Sequence, residues 1–250
     1  MDAAEAVAIF AAGGAAGAIN TIVGSGTLIT FPVLLAFGYA PVTANVSNTI
    51  GLVPGSVSGT YGYRRELTGQ GRRALWLGIP SVAGGIAGAV LLLTLPASAF
   101  KAIVPGFIAA ALVLVVAQPW LTRRLAGRHK HPLNARGVLP LSLFTVGVYG
   151  GYFGAAQGIL ILGLLGLSLP DPLQRINAIK NIVAGLTNAT AGVVFLIAAS
   201  HVTWEVAGLI AVGSALGAQL GARVGRSLPE AALRVVIVAV GIAAILKLVL

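Results

Sequence analysis

The sequence predicts an all-α polytopic membrane protein made of two inverted four-segment repeats, each with a broken (hairpin) first segment followed by three spanning helices. Three observations lead to this. Of 250 residues, 57% are hydrophobic and only 9% are charged, whereas a soluble domain carries about 25% charged residues. The charges cluster between apolar runs of about 20 residues, the length of helix that crosses a hydrocarbon core. No alternating barrel pattern is present, so helices are the remaining way to satisfy the backbone in lipid. Finally, features of the first half recur 133 positions later: Asn48 with Asn181, Gly59 with Gly192, Ser81 with Ser214, Gly84 and Gly88 with Gly217 and Gly221, and Leu95-Pro96 with Leu228-Pro229.

The segments follow in order. Ala3–Gly38 is too long for one crossing, and Gly24-Ser25-Gly26 near its middle marks a break. Val42–Tyr63, Ala74–Leu95 and Phe100–Leu121 each fit one span and complete the first transmembrane repeat, residues 1–121. Residues 122–136 form a basic linker carrying Arg123, Arg124, Arg128, Lys130 and Arg136. The second repeat, 137–250, opens on Gly137–Leu169, another overlong segment, with a break expected near Gly154-Ala155-Ala156-Gln157-Gly158. With a slip of about one residue, this stretch lies opposite the first glycine cluster. Ile176–Ser200, Trp204–Arg226 and Ala231–Leu250 are its spans.

Charge sets the orientation, because Lys and Arg near membrane ends prefer the cytoplasm. If all eight segments crossed once, starting inside, 10 of the 16 Lys and Arg would be cytoplasmic. If Gly137–Leu169 enters and returns on one side, 14 are cytoplasmic and only Lys101 and Lys247 lie outside. The hairpin is therefore expected there, and by repetition in Ala3–Gly38, although two short full crossings would give the same parity. The basic linker is then cytoplasmic, and the acidic start Met1-Asp2-Ala3-Ala4-Glu5, which resembles no cleavable signal peptide, is outside. Three spans per half invert one half relative to the other, a pattern of secondary transporters with broken helices at the midplane.

Several functions are excluded by what is missing. The net charge of +10 comes from arginines and lysines in short loops, where it orients the chain and forms no soluble face for nucleic acid. There is no cysteine. His129, His131 and His201 fall in the linker and an outer loop, so no metal site or catalytic triad is expected. All six acids, Asp2, Glu5, Glu66, Asp171, Glu205 and Glu230, lie at segment ends, which disfavours a carboxylate proton relay. No enzyme activity and no cofactor are expected.

The candidates inside the membrane are mostly uncharged and polar. In the first half they are Asn20, Gly24, Ser25, Gly26, Asn45 and Asn48; in the second, Gln157, Gly158, Asn177, Lys180 and Asn181. Glycine lets a helix unwind, and the freed N–H groups at half-helix N-termini favour an anion. Asparagine amides add donors without a counter-charge. Plainer readings stand beside these. Gly-Ser-Gly also suits close helix packing, isolated Ser and Thr commonly bond their own helix, and Lys180 can snorkel to the surface. Tyr149 and Tyr152 are further polar groups within the membrane, while Trp76, Trp120 and Trp204 suit interfacial belts.

The string Asn20-Thr21-Ile22-Val23-Gly24-Ser25-Gly26-Thr27-Leu28-Ile29-Thr30-Phe31-Pro32 resembles the opening motif of the TauE/SafE sulfite exporter family. Further likeness lies in Ala44-Asn45-Val46-Ser47-Asn48-Thr49, Pro54-Gly55-Ser56 and Gly62-Tyr63-Arg64-Arg65-Glu66-Leu67. In the second half it lies in Tyr149-Gly150-Gly151-Tyr152-Phe153-Gly154 and Asn177-Ala178-Ile179-Lys180-Asn181. One departure is that the first hairpin reads Gly-Ser-Gly where the family has an all-glycine run. The resemblance implies a transporter of small sulfur-containing anions (sulfite, sulfonate, sulfoacetate or thiosulfate class) in the inner or plasma membrane, with export as the expected direction. The partners expected are the anion and the lipid bilayer, with no nucleic acid; a homo-oligomer is left open. The alternative is a channel for a small neutral or anionic solute, since aquaporin-like proteins also pair half-helices at asparagines, although Asn-Pro-Ala triplets are absent here.

Overall fold

A computed structural model describes residues 1–126 and 137–224, together with residues 235, 237–239, 241–242 and 245–246. Most of the expected linker and of the expected span Ala231–Leu250 lies outside the described residues, as do His129 and His131. The described chain runs α1 (Ala3–Ile22), α2 (Thr27–Ala36), α3 (Pro41–Gly62), α4 (Gly71–Thr94) and α5 (Ala97–Ala126). It continues with α6 (Val138–Tyr152), α7 (Gln157–Ser168), α8 (Leu173–Ala198) and α9 (Trp204–Val224). Among the described residues there is no strand.

Both overlong segments are broken where the glycines fall. α1 ends because Gly24 adopts φ +87°, a left-handed conformation that only glycine takes cheaply. Its N–H and that of Val23 both turn back to Ile19 O, at 3.1 and 2.7 Å. α6 ends the same way: Gly154 has φ +75°, and Phe153 and Gly154 both donate to Tyr149 O, at 2.9 and 3.0 Å. Such i→i−5 bonds close a helix that the left-handed residue terminates. The arms are unequal. α1 has 20 residues and α2 ten, about 30 and 15 Å, so α1 is no half-helix and is long enough to span alone.

Among the described residues five helices are long and apolar enough to cross a membrane: α1, α4, the stretch Ala97–Leu121 of α5, α8, and Trp204–Arg223 of α9. α3 is equally long at 22 residues but carries Asn45, Ser47, Asn48, Thr49, Ser56 and Ser58, which lower its apolarity. Large apolar side chains such as Val57, Leu75 and Ile197 face outward, as lipid contact requires, and Trp76, Trp120 and Trp204 are exposed near helix ends.

The two halves interlock. α1 packs along α9 and α4 along α6, while α3 meets α8 and α9, and α8 meets α4. Glycine permits this closeness, since helices in lipid associate by backbone approach rather than by a hydrophobic drive. A Cβ on Gly221 would stand 2.7 Å from Ala18 O of α1, and one on Gly147 would stand 2.5 Å from Ser81 O of α4. An aromatic group locks the second break to its neighbours. The Phe31 ring of α2 meets Phe153 edge-on at 5.1 Å, and Phe107 of α5 meets Tyr149 at 5.3 Å.

Polar staples join the loops. At one end Arg73 Nη1 pairs with Asp171 Oδ2 at 2.6 Å, and Arg175 Nη2 donates to Thr68 O at 2.9 Å. At the other, Tyr39 OH, between α2 and α3, donates to Glu5 Oε1 at 2.7 Å. Burial and the Glu5 carboxylate push the Tyr39 phenol up to about 12, so it remains the donor at neutral pH.

Candidate functional site

Where α1 breaks, its last carbonyls lose their helical partners, and α8 supplies replacements. Asn177, Lys180 and Asn181 sit three and four residues apart, hence on one face of α8. Lys180 Nζ donates to Asn20 O at 3.2 Å and Thr21 O at 3.3 Å. Asn177 Nδ2 and Asn181 Nδ2 reach Thr21 O at 3.4 and 3.3 Å. Lys180 is 0% exposed, so it does not snorkel. Among the described residues it is the only buried basic or acidic side chain, and no carboxylate pairs with it.

The second break is served from the first half. Asn45 Nδ2 of α3 donates to Tyr152 O, the last carbonyl of α6, at 3.0 Å. Each half therefore caps the broken helix of the other, Asn45 in one direction and the Asn177–Asn181 face in the reverse. Asn48 behaves differently. It accepts from the Thr30 hydroxyl and donates to Thr27 Oγ1 at 3.4 Å, tying α3 to α2 of its own half.

The two breaks touch. Gly158 N–H donates to Gly24 O at 3.0 Å, and a Cβ on Gly24 would lie 2.5 Å from Gly158 Cα. Gly26 is also wedged, since its Cβ would stand 2.6 Å from Ala16 O and 3.1 Å from Asn20 Cβ. These three glycines are positions of close backbone approach, and the Gly158 amide is already used within the protein. Other groups are not used. No hydrogen bond among the described residues reaches the backbone N–H of Ser25, Gly26 or Thr27, nor of Ala155 or Ala156. Ser25 Oγ, Gln157 Nε2, Asn45 Oδ1, Asn177 Oδ1 and Tyr152 OH are buried without partners. Buried polar atoms are nearly always bonded; two more unpartnered ones, Gln70 Oε1 and Gln118 Oε1, lie away from the breaks.

All eleven candidates from the sequence thus lie at or beside the breaks, although Asn20 contributes a backbone carbonyl and Asn48 a helix contact. The sequence reading named Tyr152 only as a further polar group, and did not single out the carbonyls of Thr21 and Tyr152 or the hydroxyl of Thr30. Only the Tyr149/Tyr152 pair beside a glycine break gave any signal. Among the described residues no His, Cys, Asp and Glu group suits a metal ion.

The family model described as sulfite exporter TauE/SafE matches residues 9–248, across both breaks. The chain belongs to the TauE/SafE sulfite exporter family. Similar relatives include a probable membrane transporter protein YfcA of Escherichia coli K12, 30% identical over 212 residues, 80% of this chain and 73% of the relative. A probable membrane transporter protein ORF9 of Sinorhizobium sp is 30% identical over 210 residues, 83% and 78% of the two chains. One from Haemophilus influenzae is 26% identical over 209 residues, 83% and 80%. No solved structure matches the chain. As a TauE/SafE member the protein is a multi-pass membrane transporter and not an enzyme; in bacteria such a protein resides in the cell membrane.

Proposed function

We propose that this transporter moves small sulfur-containing anions of the sulfite, sulfonate, sulfoacetate or thiosulfate class out of the cell through a site at the two helix breaks. The observation that carries this reading is Lys180: a fully buried amine, paired with no carboxylate among the described residues, held only on two backbone carbonyls. A buried charge requires a partner, and a transported anion is that partner. The anion takes the third N–H of Lys180, the unpaired Ser25 hydroxyl and the free amides of the turn from Ser25 to Thr27, with Asn177 and Asn181 alongside. The description of the matched family supplies the sulfur chemistry.

An inverted relation between the halves is part of the proposal. Exchanging α1–α4 with α6–α9 turns the contact of α1 with α9 into that of α6 with α4, and α3 with α9 into α8 with α4; all four occur. Two halves rocking about the touching tips then expose the site to either side in turn. A permanent channel is disfavoured, because the two breaks are bonded directly to each other, Gly158 N–H to Gly24 O. Export needs no coupling ion. An interior-negative potential contributes about 2.3 kcal/mol per charge per 100 mV, roughly a fifty-fold outward bias for a monoanion.

Proteoliposomes loaded with radiolabelled sulfite, sulfoacetate or thiosulfate test the reading. At least one anion is expected to leave faster than from protein-free liposomes, and faster still when the inside is made negative. No release of any of the three would overturn it.

A further inference from the structure

We propose that a groove among α5, α6 and α7 holds one acyl chain of an anionic phospholipid, whose headgroup is drawn by the arginines that end α5. The groove measures about 470 Å³ and is lined by Leu114 and Leu121 of α5, Leu141 and Val146 of α6, and Ile159 and Leu167 of α7. Gly163 lies along it, where a Cβ would stand 3.1 Å from Leu121 Cδ2. Leu141 is 67% exposed and Thr145 is exposed too, so the groove opens sideways onto lipid. The described part of the last apolar segment does not cover it. A Cβ on Gly241 would meet Leu112 Cδ2 at 2.6 Å, and Leu112 is two residues from Leu114, about 200° around α5. None of the polar groups at the two breaks lines the groove.

Its depth and its charge select the occupant. From Leu167 to Ile159 it follows α7 for about 12 Å, within one leaflet of a hydrocarbon core about 30 Å thick. Its outer end is level with Trp120, an exposed tryptophan near a helix end, which marks the interface. Charge begins just beyond. Arg123 and Arg124 lie in the last turn of α5, and Arg123 is exposed. A guanidinium stays protonated in proteins, so the sign of this end is fixed. The sequence carries no acid from Thr122 to Gly137, and Asp171, beyond the end of α7, is already paired with Arg73. An apolar slot that ends in positive charge at headgroup depth complements an acyl chain that ends in a phosphodiester anion. A zwitterionic lipid can fill the same slot but gains little from the charge. Each basic residue near the surface strengthens binding of an anionic lipid about five-fold.

A phosphatidylglycerol with a photoactivatable diazirine in its acyl chain tests this in phosphatidylcholine proteoliposomes, with labelled peptides located by mass spectrometry. Labelling is expected on Leu114–Leu121 of α5 and Ile159–Leu167 of α7. Added phosphatidylglycerol should suppress it at least about five-fold more than the same amount of added phosphatidylcholine. Ser142→Phe, which fills the groove without changing charge, should remove the labelling at these positions. Arg123→Gln with Arg124→Gln should keep it and lose the headgroup preference. Equal suppression by the two lipids would overturn the proposal, as would labels spread evenly over outward faces such as those of Val57 and Ile197. A second copy of the chain cross-linked through these positions in place of lipid would overturn it as well. The wild-type competition decides even where Ser142→Phe fails to fold, and no outcome bears on which anion the breaks carry.

Discussion

Asn45 and Asn48 are three residues apart on one helix and meet different demands. Asn45 caps the end of a broken helix from the other half, with its own carbonyl oxygen left unpartnered. Asn48 is spent on Thr27 and Thr30, so its amide holds α3 to α2 and has little left for a ligand. Asn48→Ala is therefore expected to destabilise the protein by about 1–3 kcal/mol, the cost of leaving buried groups unsatisfied. Thermal melting in detergent checks this, while apparent substrate affinity should stay within about three-fold. A stable variant with ten-fold weaker affinity would instead return Asn48 to the site. The asparagines were legible in the sequence because a buried amide is costly in lipid. Their partners were not, since Thr21 O and Tyr152 O become acceptors only where the helix carrying them stops.

At the scale of elements, glycine has two separate roles. Gly24 and Gly154 end helices through positive φ, which the glycine clusters announced. The lengths of the arms were hidden, because an apolar run before a break reads alike whether it holds 15 residues, as in α6, or 20, as in α1. The other glycines set how closely helices approach. A Cβ on Gly84 would fall 2.8 Å from Val148 N, against a rigid neighbouring backbone, whereas one on Gly106 meets nothing within 4 Å. Gly84→Ala should thus cost about 1–3 kcal/mol through overpacking. Gly106→Ala should be neutral or stabilising by about 0.5–1 kcal/mol, because alanine suits a helix interior better than glycine does. Melting temperatures of the two purified variants decide the point; equal behaviour would mean that the α4–α6 contact is loose enough to yield.

At the scale of the whole molecule, some residues 133 positions apart make corresponding contacts. Ser81 and Ser214 each stand where a glycine of a broken segment's first helix, Gly147 or Gly17, packs closest. The repeat did not foresee its own asymmetry, with a lysine at position 180 where the first half has Ser47. That single difference supplies the one buried basic or acidic side chain among the described residues, and the whole account of an anion site depends on it. The most direct measurement is an experimental structure of the protein with selenite in place of sulfite, in which the anomalous signal of selenium locates the anion. The account predicts one intramembrane peak at the first break, its oxygens within about 2.7–2.9 Å of Lys180 Nζ and close to the Ser25 hydroxyl. A peak elsewhere in the membrane, with Lys180 still seated on Asn20 and Thr21 and no anion beside it, would contradict it.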